Sequence, residues 1–91
     1  MTSFNHLKLE KIIKGFANRR RLQILELLEK ESGLSVENVS MTLKMGYENT
    51  SEHLRKLHDA GLVTKHALGN NVVHRITSRA KDILAFCKKL K

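Results

Sequence analysis

The chain has 91 residues, of which 41% are hydrophobic, so it can build one modest core but not two. Lysine and arginine together number 17 against 9 aspartate and glutamate residues, and the formal charge of +8 favours a polyanionic partner, either nucleic acid or an anionic membrane surface. The single cysteine, Cys87, excludes an internal disulfide, and the sequence has no signal peptide or long apolar run, which predicts a cytoplasmic protein without a membrane anchor.

The first two predicted elements are amphipathic helices. The first runs from Phe4 to Phe16 and has an apolar stripe along one side. That stripe consists of Leu9, Ile12, Ile13 and Phe16. Asn18 is suited to cap a second helix that ends before Gly33, because its side chain can accept hydrogen bonds from first-turn amides. The second helix has a wide apolar face containing Leu22, Leu25 and Leu28, so we expect it to be central.

Two further helices follow without a proline between them. Ser35 is predicted to cap a short third helix. Gly46 is a weaker cap for a fourth helix, which runs from Tyr47 to Ala60. The inward-facing residues are predicted to be Val36, Val39 and Leu43 in the third helix, and Met45, Thr50, Leu54 and Leu57 in and before the fourth.

After Gly61 the pattern becomes that of β-strands. Two runs rich in β-branched residues, Leu62–Leu68 and Val72–Thr77, are separated by Gly69-Asn70-Asn71, residue types that tolerate positive φ in a tight hairpin turn. Ser78 is then predicted to cap a last helix. The apolar stripe of that helix consists of Ala80, Ile83, Leu84, Cys87 and Leu90.

Four helices, a hairpin and a helix predict a mainly α fold with a two-stranded β-hairpin, arranged as a winged helix-turn-helix. A helix has the right width for the major groove of DNA, and a basic hairpin can reach the flanking backbone. Lys65, Arg75 and Arg79 supply positive charge in and just after the hairpin. We therefore predict a single domain over residues 1–91 that binds double-stranded DNA.

Three consecutive motifs resemble those of a known family. "FANRRRLQILELL", "LSVENVSMTLKM" and "NTSEHLRKLHDAGLV" are similar, in order and spacing, to three successive helices of ArsR-type winged-helix transcription regulators, over about Phe16 to Thr77. The resemblance implies a homodimer, held together by the first and last helices, that binds operator DNA and represses transcription. The dimer-interface residues it implies are Leu9, Ile12, Ile13, Phe16, Ile83, Leu84, Cys87 and Leu90.

The resemblance also makes the fourth helix the recognition helix. Its groove-facing residues would be Tyr47, Glu48, Asn49, Ser51 and Glu52, followed one turn later by Arg55 and Lys56. Asn49 can pair with adenine and Ser51 with bases or phosphates, whereas a glutamate can only accept a hydrogen bond from cytosine and repels phosphates. Glu48 has a second interpretation, because an acidic residue in the first turn also complements the helix dipole.

Metal sensing is not predicted. The arsenic and zinc sensors of the family have a cysteine pair at the positions of Ser35 and Glu37, or a set of histidine and acidic ligands on the last helix, and this sequence has neither. His66 and His74 lie on opposite hairpin strands and can approach each other, but two imidazoles without a third ligand make a poor site. We therefore expect no cofactor. Cys87 is interpreted as a buried apolar residue, with an intersubunit disulfide or thiol sensor as the alternative.

The sequence also contains no catalytic motif. It lacks a Ser-His-Asp or Cys-His set in a plausible local context, a phosphate-binding glycine loop and a paired-carboxylate motif, so we predict that the protein is not an enzyme. The alternative function is a winged-helix protein–protein adaptor, which the glutamates of the fourth helix would suit. Clustering of Lys65, Arg75 and Arg79 on the side of that helix would favour DNA instead.

Overall fold

A computed structural model describes residues 3–91 of the chain. Five helices and a two-stranded antiparallel hairpin occur in the predicted order, which confirms the winged helix-turn-helix fold. The elements are α1 (His6–Phe16), α2 (Arg19–Lys30), α3 (Val36–Leu43), α4 (Tyr47–Asp59), β1 (Val63–Leu68), β2 (Asn71–Ile76) and α5 (Ser78–Lys88). Within this part of the chain, no helix is both long enough and apolar enough to cross a bilayer.

The helices after α1 follow the predicted capping residues with one exception, whereas α1 begins at His6 behind the cap Asn5, two residues later than the predicted start at Phe4. The side chain of Asn18 accepts from the Arg21 amide, and that of Ser35 accepts from the Asn38 amide. Gly46 precedes α4 without a side-chain cap. The prediction for α5 was wrong: Thr77, not Ser78, is the cap, and its hydroxyl oxygen accepts from the Ala80 amide. The same hydroxyl donates to the Gly61 carbonyl, a contact that favours Thr77 over its neighbour.

The end of α4 explains why the chain can turn directly into the hairpin. The Leu62 amide donates to the Leu57 carbonyl and the Gly61 amide donates to the His58 carbonyl, which is the Schellman arrangement. Gly61 lies in the left-handed region with φ +74°, a conformation that costs glycine little. Leu62 is consequently buried at the junction between α4 and β1.

The hairpin turn is one residue shorter than the predicted Gly69-Asn70-Asn71 spacer. Asn71 already belongs to β2 and pairs with Leu68, which leaves a two-residue loop with only Gly69 at positive φ. This register places Lys65 opposite His74, and Thr64 opposite Arg75. Because successive strand residues point to opposite faces, a shift of one residue decides which side chains share a face.

The core lies between α2, α3, α4 and the base of the hairpin, with α5 packed against α2 and β2. Its fully buried side chains include Ile24, Leu25, Leu28, Val39, Leu54, Leu57, Leu62 and Val63. A bridge between Leu34 and His74 joins the loop before α3 to β2 and anchors the hairpin to the helices. α1 packs across α2 and α4, and thus lies beside the predicted recognition helix.

Candidate nucleic-acid interface

Helix α4 is held by one face, which leaves the opposite face open. Thr50, Leu54 and Leu57 are buried as predicted, and the Thr50 hydroxyl donates to the Gly46 carbonyl at 2.8 Å. All seven residues of α4 that were predicted to contact DNA are exposed: Tyr47, Glu48, Asn49, Ser51, Glu52, Arg55 and Lys56. Helical spacing places Asn49 and Lys56, together with His53, on one flank of α4, and Tyr47 and Ser51 on the other flank.

The middle of the exposed face carries a charge network. The Arg55 guanidinium donates from Nε to Oε1 of Glu52 at 3.0 Å and pairs through Nη2 with Oε2 of the same carboxylate. Its Nη1 donates to Asp59 at 3.2 Å. The hydrogen bond from Arg55 holds the pKa of Glu52 below its ordinary value, so this carboxylate stays ionised. Arg55 therefore offsets the acidic charge within the helix, and must exchange partners to contact a base.

The flank of α4 that bears Tyr47 faces the hairpin. A shallow cavity of about 270 Å³ lies between the start of α3, Tyr47 and the hairpin tip. It is lined by Ser35, Val36, Glu37, Tyr47, Asn70, Asn71 and Val72. Two of these residues, Ser35 and Glu37, occupy the positions where the resemblance places the sensor cysteines. The hairpin tip thus stands beside the N-terminal half of α4.

The three basic residues of the hairpin region do not form one cluster. Lys65 pairs across the ribbon with the buried His74 and so shares its inner face, whereas Arg75 pairs with Thr64 on the other face. Arg79 donates from Nη1 to the Ala60 carbonyl at 3.0 Å, at the C-terminal end of α4. The clustering beside the recognition helix that would have favoured DNA over the adaptor is therefore not observed for Lys65 and Arg75, which lie on opposite faces of the ribbon. The two-residue turn is the reason, because a loop one residue longer would have paired Lys65 with Arg75.

The same register separates the two histidines that could have shared a metal. His66 lies on the face opposite to that of His74, and its Nε2 is 2.7 Å from the Thr64 hydroxyl. His74 is 2% exposed, and its Nδ1 is 3.0 Å from the Leu34 carbonyl, which can only accept and therefore fixes the proton on Nδ1. Burial lowers the pKa of His74, and its imidazole has a structural role.

Sequence reasoning missed two arginines that join α2 to its neighbouring helices. Arg21 donates from Nη1 to the carbonyls of Lys14 and Gly15 in the last turn of α1, and from Nε to Nδ1 of His53 at 3.1 Å. Arg20 donates to the Leu43 carbonyl at the end of α3. The available signal was electrostatic: consecutive arginines are unfavourable at the positive end of a helix dipole, which indicates that they bind elsewhere.

The predicted dimer helices retain exposed apolar residues. Leu9 and Ile13 of α1 remain accessible, whereas Ile12 and Phe16 pack against the core. In α5, Leu84 is only 5% exposed and belongs to the core of the protomer itself. Phe86, which the sequence analysis did not select, is 60% exposed, and Leu90 lies exposed just beyond the helix. The unpaired apolar surface therefore includes residues other than those of the predicted stripe.

A groove of about 600 Å³ runs between the N-terminal half of α2 and α5. Its lining is mostly apolar and includes Ala17, Leu22, Leu84 and the partly exposed Cys87. Cys87 is thus partly exposed at this groove and is not the buried apolar residue that the sequence suggested.

A family model for "Bacterial regulatory protein, arsR family" matches residues 18–65, which is over half of the chain. The chain belongs to the ArsR family. Family and fold are those of winged helix-turn-helix transcriptional regulators, which are not enzymes. The matched range covers α2, α3, α4 and the start of β1, and contains the three motifs that carry the resemblance apart from Phe16 and Ala17.

Solved structures extend the ArsR likeness to nearly the whole chain. The homodimeric winged helix-turn-helix DNA-binding domain Mb0332 from Mycobacterium bovis is 26% identical, with a TM-score of 0.84 over 99% of this chain and 87% of that one. HlyU from Vibrio cholerae is 30% identical, with a TM-score of 0.83 over 98% and 97%. The antimony-specific transcriptional repressor AntR is 27% identical, with a TM-score of 0.80 over 98% and 81%. No curated protein sequence matches this ArsR-family chain.

Proposed function

We propose that the protein is a homodimeric transcription regulator that binds double-stranded DNA sequence-specifically and acts as a repressor. The recognition helix, Tyr47–Ala60, would enter the major groove, and the hairpin, Leu62–Thr77, would lie on the flanking DNA. Residues 1–91 would form one DNA-binding domain, with α1 and α5 as its dimerisation helices. The homodimeric Mycobacterium domain and the repressor AntR support the dimer and the direction of regulation.

The observation that carries the proposal is the exposure of α4 in a chain of the ArsR family. Its inner face is fixed by Thr50, Leu54 and Leu57, and no element within residues 3–91 covers its outer face. A helix with side chains is about 10–12 Å across, and the major groove is about 12 Å wide. The net charge of +8 supplies the attraction to a polyanion.

Two groups of residues would have different roles. Asn49, Ser51 and Arg55 would read base edges, since amide, hydroxyl and guanidinium groups match the hydrogen-bonding patterns of the major groove. Lys65, Arg75 and Arg79 would contact phosphates. Lys65 and Arg75, on opposite faces of the ribbon, would reach different phosphates, and Arg79 would have to share its guanidinium with the Ala60 carbonyl.

The test is selection of bound fragments from random DNA at physiological salt, followed by affinity measurements on the selected site and on random DNA. Asn49→Ala should cost on the order of 1–3 kcal/mol on the selected site and little on random DNA. Lys65→Ala should weaken binding to both and lower the salt dependence, whereas Lys81→Ala on α5 serves as the charge-matched control. Recovery of no sequence preference, with Asn49→Ala equal to wild type, would refute sequence-specific binding.

One observation favours the adaptor as second candidate. Glu48, Glu52 and Asp59 place three carboxylates on the outward side of α4, and Arg55 is already paired with two of them. Such a face suits a basic protein partner better than phosphates. If Lys65→Ala, Arg75→Ala and Glu52→Gln all leave DNA binding unchanged, the adaptor function replaces the regulator.

A further inference from the structure

A basic cleft lies between α1 and α4, on the flank of α4 that faces away from the hairpin. It has a volume of about 280 Å³, and Gly15 and Ala60 form its floor, where the two helices touch. Its rim carries Lys11, Lys14, Arg21, Lys56 and Asp59. Four cationic side chains thus surround a space large enough for a phosphate group.

Little of this positive charge is neutralised by the protein. No ion pair in the described part of the chain involves Lys11 or Lys56, and Lys14 has only an exposed pair with Glu10 at 3.3 Å. The one carboxylate at the rim, Asp59, is engaged by Arg55 at 3.2 Å. Like charges held together without counterions are costly, so the cleft favours an anion.

Arg21 gives the cleft a fixed wall. Its guanidinium is held by the Lys14 and Gly15 carbonyls and by Nδ1 of His53, so it is oriented before any ligand arrives. A preorganised cation loses less conformational freedom on binding than a mobile lysine does. The same contacts join the dimerisation helix α1 to the flank of the recognition helix.

The position of the cleft beside α4 indicates what it can bind. A helix lying in the major groove has a DNA backbone on each side. The hairpin lies beside the flank of α4 that bears Tyr47, and the cleft lies beside the opposite flank, which bears Asn49, His53 and Lys56. We propose that the cleft formed by Lys11, Lys14, Arg21 and Lys56 binds a backbone phosphate of the DNA strand that borders the major groove on the side away from the hairpin. The inference rests on the proposed function and adds a second backbone contact to it.

The affinity test uses substitutions on α1, which is not part of the recognition helix or the hairpin. Lys11→Gln should weaken binding to the selected site and to random DNA by the same factor. Removal of one phosphate interaction should reduce the affinity change between 50 and 200 mM salt by about fourfold, and in a twofold dimer the substitution removes two such interactions. Lys8→Gln removes the same charge from the same helix outside the cleft, and should leave the salt dependence close to that of wild type.

His53, which accepts a hydrogen bond from Arg21 of the cleft, supplies an independent measurement. Burial, followed by the charges of Arg21 and Lys56, lowers the pKa of His53 in the free protein. A phosphate in the cleft adds negative charge nearby and should raise that pKa, which NMR titration of the His53 ring with and without DNA measures. If Lys11 has a purely structural role, Lys11→Gln should show the same DNA-induced shift of the His53 titration as wild type.

The outcomes separate this inference from the proposed function. If the wild-type protein binds no DNA, both fail. If wild type binds DNA and Lys65→Gln lowers the salt dependence, but Lys11→Gln does not and the His53 titration is unmoved, only the cleft contact is refuted. If inorganic phosphate alone moves the His53 titration while Lys11→Gln leaves the salt dependence unchanged, the cleft is a small-anion site and the backbone contact is likewise refuted.

Discussion

Gly15 of α1 and Ala60 at the end of α4 touch so closely that a Cβ atom built on Gly15 would lie 2.5 Å from that of Ala60. In an exposed helix the change from glycine to alanine would be stabilising, by up to about 1 kcal/mol. Here the contact reverses the sign, because neither methyl group belongs to a flexible side chain.

We accordingly predict that Gly15→Ala lowers the free energy of unfolding by about 1–3 kcal/mol, the usual range for overpacking. The double variant Gly15→Ala/Ala60→Gly should recover most of the loss, since it returns the volume to its original value. Urea denaturation of the four proteins of this cycle measures the coupling. Additive effects of the two substitutions would mean that the helices are not in contact.

Glu52→Gln should change DNA binding through Arg55. The substitution removes a carboxylate that accepts two hydrogen bonds from the guanidinium, and so releases Arg55 as well as removing negative charge from the groove-facing side. We expect tighter binding to all DNA sequences. Titrations with the selected site and with random DNA distinguish the alternative, in which Glu52 accepts from a cytosine and only the selected site is weakened.

Acidification should destabilise the protein through His53. Burial of the ring, followed by the positive charge of Arg21, whose Nε donates to Nδ1, favours the neutral imidazole and lowers the pKa of His53. The folded-state pKa of His53 lies below the ordinary 6.5, so the native state binds fewer protons than the unfolded state. The free energy of unfolding therefore falls as the pH drops below about 6.5.

Chemical denaturation at pH 7.5 and 5.5 tests this dependence. His53→Asn retains an acceptor near Nδ1 but cannot be protonated, so it should lose less stability between the two pH values than wild type does. The depressed pKa of His74 leaves some dependence in the variant. Equal losses in both proteins would show that protonation of His53 does not destabilise the folded state.

Dimerisation should depend on apolar residues that the protomer does not cover. Ile13 of α1 and Phe86 of α5 are 50% and 60% exposed. Ile13→Lys and Phe86→Lys should each weaken dimerisation at least tenfold, because burial of such a side chain contributes about 1.5–3 kcal/mol and occurs twice in a twofold dimer. Sedimentation at micromolar concentrations measures the change.

Met41→Lys is the matched control for the dimer, since Met41 is an apolar residue that is 69% exposed on α3. Truncation before α5 would be a poor test, because Ala80 and Leu84 complete the core of the protomer. If wild type is monomeric, or if Met41→Lys dissociates the dimer and the other two variants do not, the assignment of α1 and α5 is incorrect.

Zinc, arsenite and cadmium should not alter DNA affinity. At the positions of the sensor cysteines, the Ser35 hydroxyl caps α3 and Glu37 is exposed. Residues 3–91 contain no group of three or more histidine, cysteine or acidic side chains placed to hold a metal. Calorimetry with each metal, and DNA titrations with and without it, test this; stoichiometric binding that weakens DNA affinity would contradict the prediction.

The sequence predicts those features that depend on neighbouring residues. Asn18 and Ser35 cap their helices through amides three residues away, and Thr50, Leu54 and Leu57 follow a simple helical period. Features set by contacts between residues far apart in the sequence were harder to predict. Thr77 and Ser78 are equally good caps by type, and the deciding contact is to Gly61, sixteen residues earlier.

The length of the hairpin turn was the prediction error with the largest consequences, because a difference of one residue changes which side chains share a face of the ribbon. Gly69-Asn70-Asn71 is compatible with loops of two or three residues, and the two-residue loop moved Arg75 and His66 to the face opposite that of Lys65 and His74. The partners of Arg21 lie in α1 and α4, and nothing local in "NRRRL" distinguishes this arginine from its neighbours.

The carbonyls at the C-terminal ends of α3, α1 and α4 are bound by Arg20, Arg21 and Arg79, respectively. Arginine and lysine side chains therefore have different roles in this protein. Lysines carry much of the charge that faces solvent, whereas these arginines hold helices together. Acetylation with a lysine-selective reagent should therefore weaken the attraction to polyanions, to which Arg75 would still contribute, and leave the circular dichroism spectrum intact. A dicarbonyl reagent that modifies guanidinium groups should instead unfold the chain as it reacts.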